Sequence, residues 1–124
     1  ALDRVCVGSF SDRRLRRLRG LLGDRLCTSA GPVATTAFRL ASLGLPLPRG
    51  AHDCLQVPAR QSGIPLVDRR FVALAHRRGL KVHVWTIDDP DEMHRLLDLG
   101  VDGLMTDRPT VLRDVLRARG RWAD

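Results

Sequence analysis

Apolar residues in this chain gather in five short runs, at positions 4–8, 25–28, 54–57, 81–85 and 103–105. Each run is followed by turn residues, the pattern of short strands buried on both faces. The runs begin 21, 29, 27 and 22 residues apart, which leaves room for a strand, a loop and a helix per unit. Between them the apolar positions switch to helical spacing. Asp12 predicts a capped helix to about Leu22 with Leu15, Leu18 and Leu22 on one face and Arg13, Arg14, Arg16, Arg17 and Arg19 on the rest. Pro32 opens a helix ending near Gly44, and Asp68 caps one that carries Phe71, Leu74 and Ala75 and stops at Gly79. Asp88 or Asp89 precedes Pro90 and a helix burying Met93, Leu96 and Leu97; Pro109 opens the last helix, which Gly120 follows. The Pro- and Gly-rich stretch 45–53 reads as a loop. Strand, helix, strand in this order forces crossover connections and a parallel sheet.

Five such units in 124 residues fit two architectures. One is a doubly wound sheet of the flavodoxin or response-regulator type. The other is the later part of an eight-stranded β/α barrel, which needs about 250 residues in full. A receiver domain would place paired acids after the first strand, an Asp after the third and a Lys after the fifth. Here those strands end in Gly8-Ser9-Phe10-Ser11, Gln56-Val57-Pro58 and Thr106-Asp107-Arg108-Pro109. None of the required groups is in place, and no phosphate loop follows the first strand.

Composition narrows the class without naming a chemistry. The chain is 44% hydrophobic and 28% charged, a globular balance, and its length suits a single domain, here a partial one spanning 1–124. No apolar run nears the ~18 residues of a membrane span, and no leader pattern opens the chain. A start at Ala1 that leads straight into a strand suggests a chain that begins inside a longer protein or after a cleavage. The net charge of +7 is almost wholly arginine, with Lys81 the one lysine. Such an excess either attracts phosphorylated partners or simply solvates helix faces. Cys6, Cys27 and Cys54 are far apart in sequence with no Cys-x-x-Cys pair. That argues against a zinc site and for free thiols buried in the core, with a leaning to a reducing, cytoplasmic compartment.

The strand ends carry a resemblance. Val5-Cys6-Val7-Gly8-Ser9-Phe10, Asp53-Cys54-Leu55-Gln56-Val57-Pro58, Gly79-Leu80-Lys81-Val82-His83-Val84-Trp85-Thr86 and Gly100-Val101-Asp102-Gly103-Leu104-Met105-Thr106-Asp107-Arg108-Pro109 resemble successive strands of the glycerophosphodiester phosphodiesterase family. The match is in order and spacing; it is strongest from Gly63 onward and weak between Arg25 and His52. The resemblance implies an α/β fold: the carboxyl-terminal part, about five β/α units, of a TIM-type (β/α)8 barrel of the phospholipase C-like (PLC-like) phosphodiesterase kind. It also implies metal-dependent hydrolysis of glycerophosphodiesters to glycerol phosphate and an alcohol in lipid metabolism. One departure is Asp88, where the family has Asn; Asp caps the next helix as well but adds a negative charge.

Under the resemblance Trp85 and Phe10 line the barrel mouth against the glycerol or alcohol. Ser9 donates to a phosphate oxygen and Gln56 contacts a hydroxyl. Without it, Trp85 and Phe10 read as core residues. Ser9 has no His or Asp at nucleophile spacing. Thr106 and Asp107 read as parts of the turn before Pro109. His83 shares the strand face of Trp85, one layer deeper, and reads as a satisfied core histidine, whereas His52, His76 and His94 read as surface residues.

The family's acid/base and metal-ligating residues, a His-Arg pair, a Glu-x-Asp pair, a His-Asp pair and a further Glu, come from the first part of the barrel. This chain has no His-Arg-Gly and no Glu-x-Asp, its one glutamate is Glu92, and His52-Asp53 lies in the wrong unit. The expectation is therefore no catalytic residue and no metal ligand here. The parent would hold a divalent ion (Mg or Ca), and these residues would form the substrate-side wall that needs the missing amino-terminal half, with no nucleic-acid partner and no transmembrane segment. Two other readings stay open: a non-catalytic α/β module binding phosphate or nucleic acid through the arginine-rich helix, and a degenerate barrel kept as an interaction module.

Overall fold

The structure is a computed structural model describing residues 2–123. Five parallel strands follow one another across a curved sheet: β1 (Cys6–Val7), β2 (Cys27–Thr28), β3 (Cys54–Pro58), then β6 (Lys81–Trp85) and β7 (Gly103–Leu104). β1 pairs with β2 and β3 with β6 and β6 with β7, all in parallel. A single parallel bridge, Ser29 to Cys54, joins β2 to β3. Strand order thus follows chain order, which belongs to a barrel wall and not to a doubly wound sheet.

The helices stand where the caps and prolines place them: α1 (Asp12–Leu22), α2 (Pro32–Ser42), α3 (Arg69–Arg77), α4 (Pro90–Leu99) and α5 (Pro109–Ala118). They cover one face of the sheet. Leu55 and Val57 of β3 and Val82 and Val84 of β6 are fully buried there in one cluster with Phe38, Phe71, Ala75, Met93, Leu96 and Val115. Phe38 and Phe71 meet edge to face with centroids 4.9 Å apart. The alternate residues Gln56, Pro58, His83 and Trp85 point to the other, concave face and are only half-buried. The pleat thus sorts each strand into a packed outer side and an open inner side.

One device recurs at two strand starts. The backbone N–H of Asp53 donates to the Thr28 carbonyl (2.8 Å), while its carboxylate accepts from the Thr28 N–H (2.8 Å). Asp102 does the same to Val82, with N–H to carbonyl at 2.9 Å and carboxylate to N–H at 2.8 Å. Each Asp, one residue before its strand, clasps the neighbouring strand and adds ladder bonds where pairing is short.

Several local expectations are corrected. Ser11, not Asp12, caps α1 by accepting from the Arg14 N–H. Asp12 reaches across to α2 and accepts from the N–H groups of Val33 (3.1 Å) and Ala34 (3.4 Å). Leu15 is buried, but Leu22 is exposed, because α1 ends there and the chain turns into a short 3-10 helix, Gly23–Arg25. Arg19 does not merely solvate its face: its Nε donates to the Thr28 hydroxyl at 2.8 Å. Asp89, not Asp88, caps α4. The stretch after β3 holds an unexpected antiparallel hairpin, β4 (Arg60–Gln61) and β5 (Ile64–Pro65). Ser62 and Gly63, both at positive φ, form its two-residue turn.

Candidate functional site

At the carboxyl ends of β1, β2, β3 and β6 lies a cavity of about 450 Å³. Each element contributes through a simple local rule. The strands deliver Gly8, Ser29, Gln56 and Trp85 on their concave side, the loop after β1 adds Ser9 and Phe10, and the first turns of α2 add Thr35 and Thr36. The β4–β5 hairpin brings Gln61 to the rim. All four residues singled out from the sequence, Ser9, Phe10, Gln56 and Trp85, line this one cavity. Phe10 is 85% exposed and stands edge-on to Trp85, centroids 6.2 Å apart and planes at 84°. The two rings form a ledge at the mouth.

The cavity is largely apolar, with Ala30, Pro32, Val57, Pro58 and Leu66 in its wall, and carries polar groups but no charge. Its lining offers hydroxyls from Ser9, Ser29, Thr35 and Thr36 and amides from Gln56 and Gln61, but no acidic, basic or imidazole side chain. Such a wall receives hydroxyl-bearing, partly apolar matter better than a bare anion. The Ser9 oxygen accepts from the Ser11 N–H at 3.1 Å, which fixes the loop and leaves its own hydrogen free to donate. Sequence reasoning missed Ser29, the α2 threonines and the hairpin. Ser29 and Thr35 had no motif to mark them, whereas Ser62-Gly63 was a usable turn signal.

The other strand-end groups hold the frame. Asp88 accepts from the Thr106 hydroxyl (2.8 Å) and from the Asp107 N–H (2.9 Å), and Thr106 accepts from the Arg108 N–H (3.0 Å). The Asp88 carboxylate is thus used in tying the loops after β6 and β7 together, and it does not line the cavity. Thr106 and the backbone of Asp107 make the turn before α5, whose amino-terminal cap is Arg108 without a side-chain bond.

The histidines divide differently from expectation. His83 does share the concave face of Trp85, but it is half-buried and its ring packs against Gly103. His76 is exposed and bonds Asp102 at 2.9 Å, whereas His52 is half-buried. Burial first, and then the Arg19 charge, lowers the His52 pKa. Asp53 beside it is committed to Thr28, which removes the pair from any acid/base role. Two of the cysteines also depart from the reading of core thiols. Cys54 is buried in the core as expected, whereas Cys27 is half-buried and Cys6 exposed. Desolvation pushes Cys6 and Cys27 up to about 11 and raises Cys54 too, so they are thiols and not nucleophilic thiolates at neutral pH.

Sequential parallel strands, helices on one side only and an uncharged cavity at the strands' carboxyl ends define the wall of a β/α barrel with its binding face. Residues 2–111 match the model of the glycerophosphoryl diester phosphodiesterase family, and the chain belongs to that family. It is 46% identical over 98% of its length to a probable glycerophosphodiester phosphodiesterase 2 of Mycobacterium tuberculosis, of which it covers 48%. The fold is shared with two crystal structures. A putative glycerophosphoryl diester phosphodiesterase from Silicibacter pomeroyi superposes with a TM-score of 0.73 at 25% identity over 97% of this chain and 40% of that one. A glycerophosphodiester phosphodiesterase from Parabacteroides distasonis gives 0.70 at 24% identity over 96% and 45%. The chain therefore spans about half the length of the relatives it matches.

Proposed function

We propose that this chain is the substrate-side wall of a phosphoric diester hydrolase that cleaves glycerophosphodiesters to glycerol phosphate and an alcohol. The carrying observation is the uncharged, hydroxyl- and amide-lined cavity with its Phe10–Trp85 ledge at the strands' carboxyl ends. The rings pack on the carbon skeleton of the glycerol or alcohol, and Gln56 and Ser9 hydrogen-bond its hydroxyls or an ester oxygen. The groups that neutralise the phosphate would come from elsewhere in the parent protein. A magnesium or calcium ion needs several oxygen ligands converging on one point. Among the described residues the one close group of three potential ligands is the set of thiols, so the residues present do not fit such an ion, and no step through it is assigned to them.

The test uses the full-length protein that contains these residues. Release of glycerol phosphate from glycerophosphocholine is compared for parent, Trp85→Ala and Gln56→Ala. Each variant is expected to lower kcat/KM about tenfold or more, the loss of one packing or hydrogen-bonding contact worth roughly 1.4 kcal/mol. Variants that fold and keep the parent's kcat/KM would remove the cavity from the reaction.

A further inference from the structure

On three neighbouring strands a cysteine sits two residues before a residue lining the cavity: Cys6 before Gly8, Cys27 before Ser29 and Cys54 before Gln56. Residues two apart on a strand share a face, so the thiols form the layer beneath the cavity, toward the amino ends of the strands. Cys6 and Cys27 are directly paired in the β1–β2 register, and Cys54 bridges to Ser29. Their three sulfurs all lie within 4.8 Å of one another, with Cys6 and Cys54 Sγ 3.2 Å apart. Residues 48 positions apart in sequence are thus brought to one point by the parallel register, which is why their spacing carried no metal signature.

We infer that Cys6, Cys27 and Cys54 form a three-thiolate site for a soft, thiophilic metal ion of the zinc(II) or copper(I) class, which staples β1, β2 and β3 together. Three observations carry it. Metal–sulfur bonds of about 2.3 Å place the sulfurs of one ion about 3.8–4.0 Å apart, within the spread seen here. Cys6 and Cys54 lie on strands with β2 between them, so the approach of their sulfurs to 3.2 Å comes from the inward curve of the sheet, which converges three thiols on one point and not only a pair. The strands concerned also pair over few residues, two between β1 and β2 and one bridge with the Asp53 clasp between β2 and β3, so a bound ion would add a cross-link to a short ladder. Sulfur ligands select soft ions over magnesium or calcium. On binding, three S–H protons pass to solvent as three metal–sulfur bonds form, with no change of oxidation state. The site is separate from the cavity reading and does not depend on it.

The test titrates the reduced full-length protein anaerobically with zinc(II) in one arm and copper(I) in another, each against a competing chelator. Stoichiometry is read by native mass spectrometry, and the melting temperature with and without the ion. One tightly held ion per chain, a higher Tm and protection of all three thiols from alkylation are expected with at least one ion. Cys6→Ser, which exchanges the sulfur for a hydroxyl of similar reach, is expected to leave the far-UV circular dichroism of the metal-free protein unchanged and to lose at least tenfold in affinity. Absence of uptake in both arms, or uptake that Cys6→Ser leaves unchanged, would overturn the site, as would a Cys6–Cys27 disulfide forming on air oxidation of a protein that takes up neither ion when reduced.

Discussion

A methyl group at Gly103 would lie 2.8 Å from Cδ2 of His83. The ring stands on the paired position of the next strand and has the cavity-lining Gln56 on its other side. Gly103→Ala is therefore expected to destabilise the protein by about 1–3 kcal/mol through overpacking, read from the urea midpoint at constant m. Asp12 supports a second residue-level prediction. Its carboxylate is the acceptor that the amino terminus of α2 lacks in its own cap, Gly31. Asp12→Ala should cost about 0.5–2 kcal/mol, while Asp12→Asn, which keeps an acceptor oxygen, should recover most of it. A Ser11→Ala change removes the true α1 cap and should by itself cost about 0.5–2 kcal/mol, read from the urea midpoint.

The Asp102 clasp makes the start of β7 sensitive to acid. Burial by itself raises the Asp102 pKa, but the Val82 N–H, His76 and Lys81 outweigh it and hold the carboxyl below its ordinary 3.8. Such a group binds protons less readily in the folded protein than in the unfolded chain. Its stabilisation is full above its ordinary value and is lost as pH falls through that value to the lower folded one. Asp102→Asn is expected to be less stable than the parent at pH 7, with the gap in urea midpoint closing below pH 3.8; a gap constant from pH 7 to pH 2.5 would show that the charge does not matter. At this same scale the sequence was legible where one residue decides an element. Pro32, Asp68, Pro90 and Pro109 marked helix starts within a residue, and the apolar runs located all five parallel strands. What it hid were choices between neighbours and contacts across the fold. Nothing local tells Asp88 from Asp89, since one caps α4 and the other bonds Thr106. The β4–β5 hairpin has two residues per strand, too few to show an alternation. The cavity's four predicted residues were legible as strand ends, whereas Ser29 and the thiol cluster exist only through the register between strands.

The whole molecule is packed on one side and open on the other. Its outer face buries Leu55, Val57, Val82 and Val84 completely, while the concave face leaves Gln56, His83 and Trp85 half-exposed and Phe10 open. A parallel barrel normally covers that face with its remaining strands. The 124 residues made alone are expected to associate through the concave face or the outer strands. They should release no glycerol phosphate from glycerophosphocholine in the presence of magnesium or calcium. Metal-dependent turnover by this chain alone would show that it holds a catalytic set of its own.

The absence of charge from the cavity wall carries over to head-group choice. A wall built of aliphatic side chains, hydroxyls, amides and two rings has little Coulombic attraction with which to separate a choline diester from an ethanolamine or a glycerol diester. Under the proposed function it would sort them by size and by hydroxyl pattern. Salt then has little purchase on that part of recognition, because screening acts on charges and the wall presents none. In the parent enzyme of the proposed function, raising ionic strength should shift KM for the two zwitterionic diesters, choline and ethanolamine, by a similar factor, leaving their order of preference where it was.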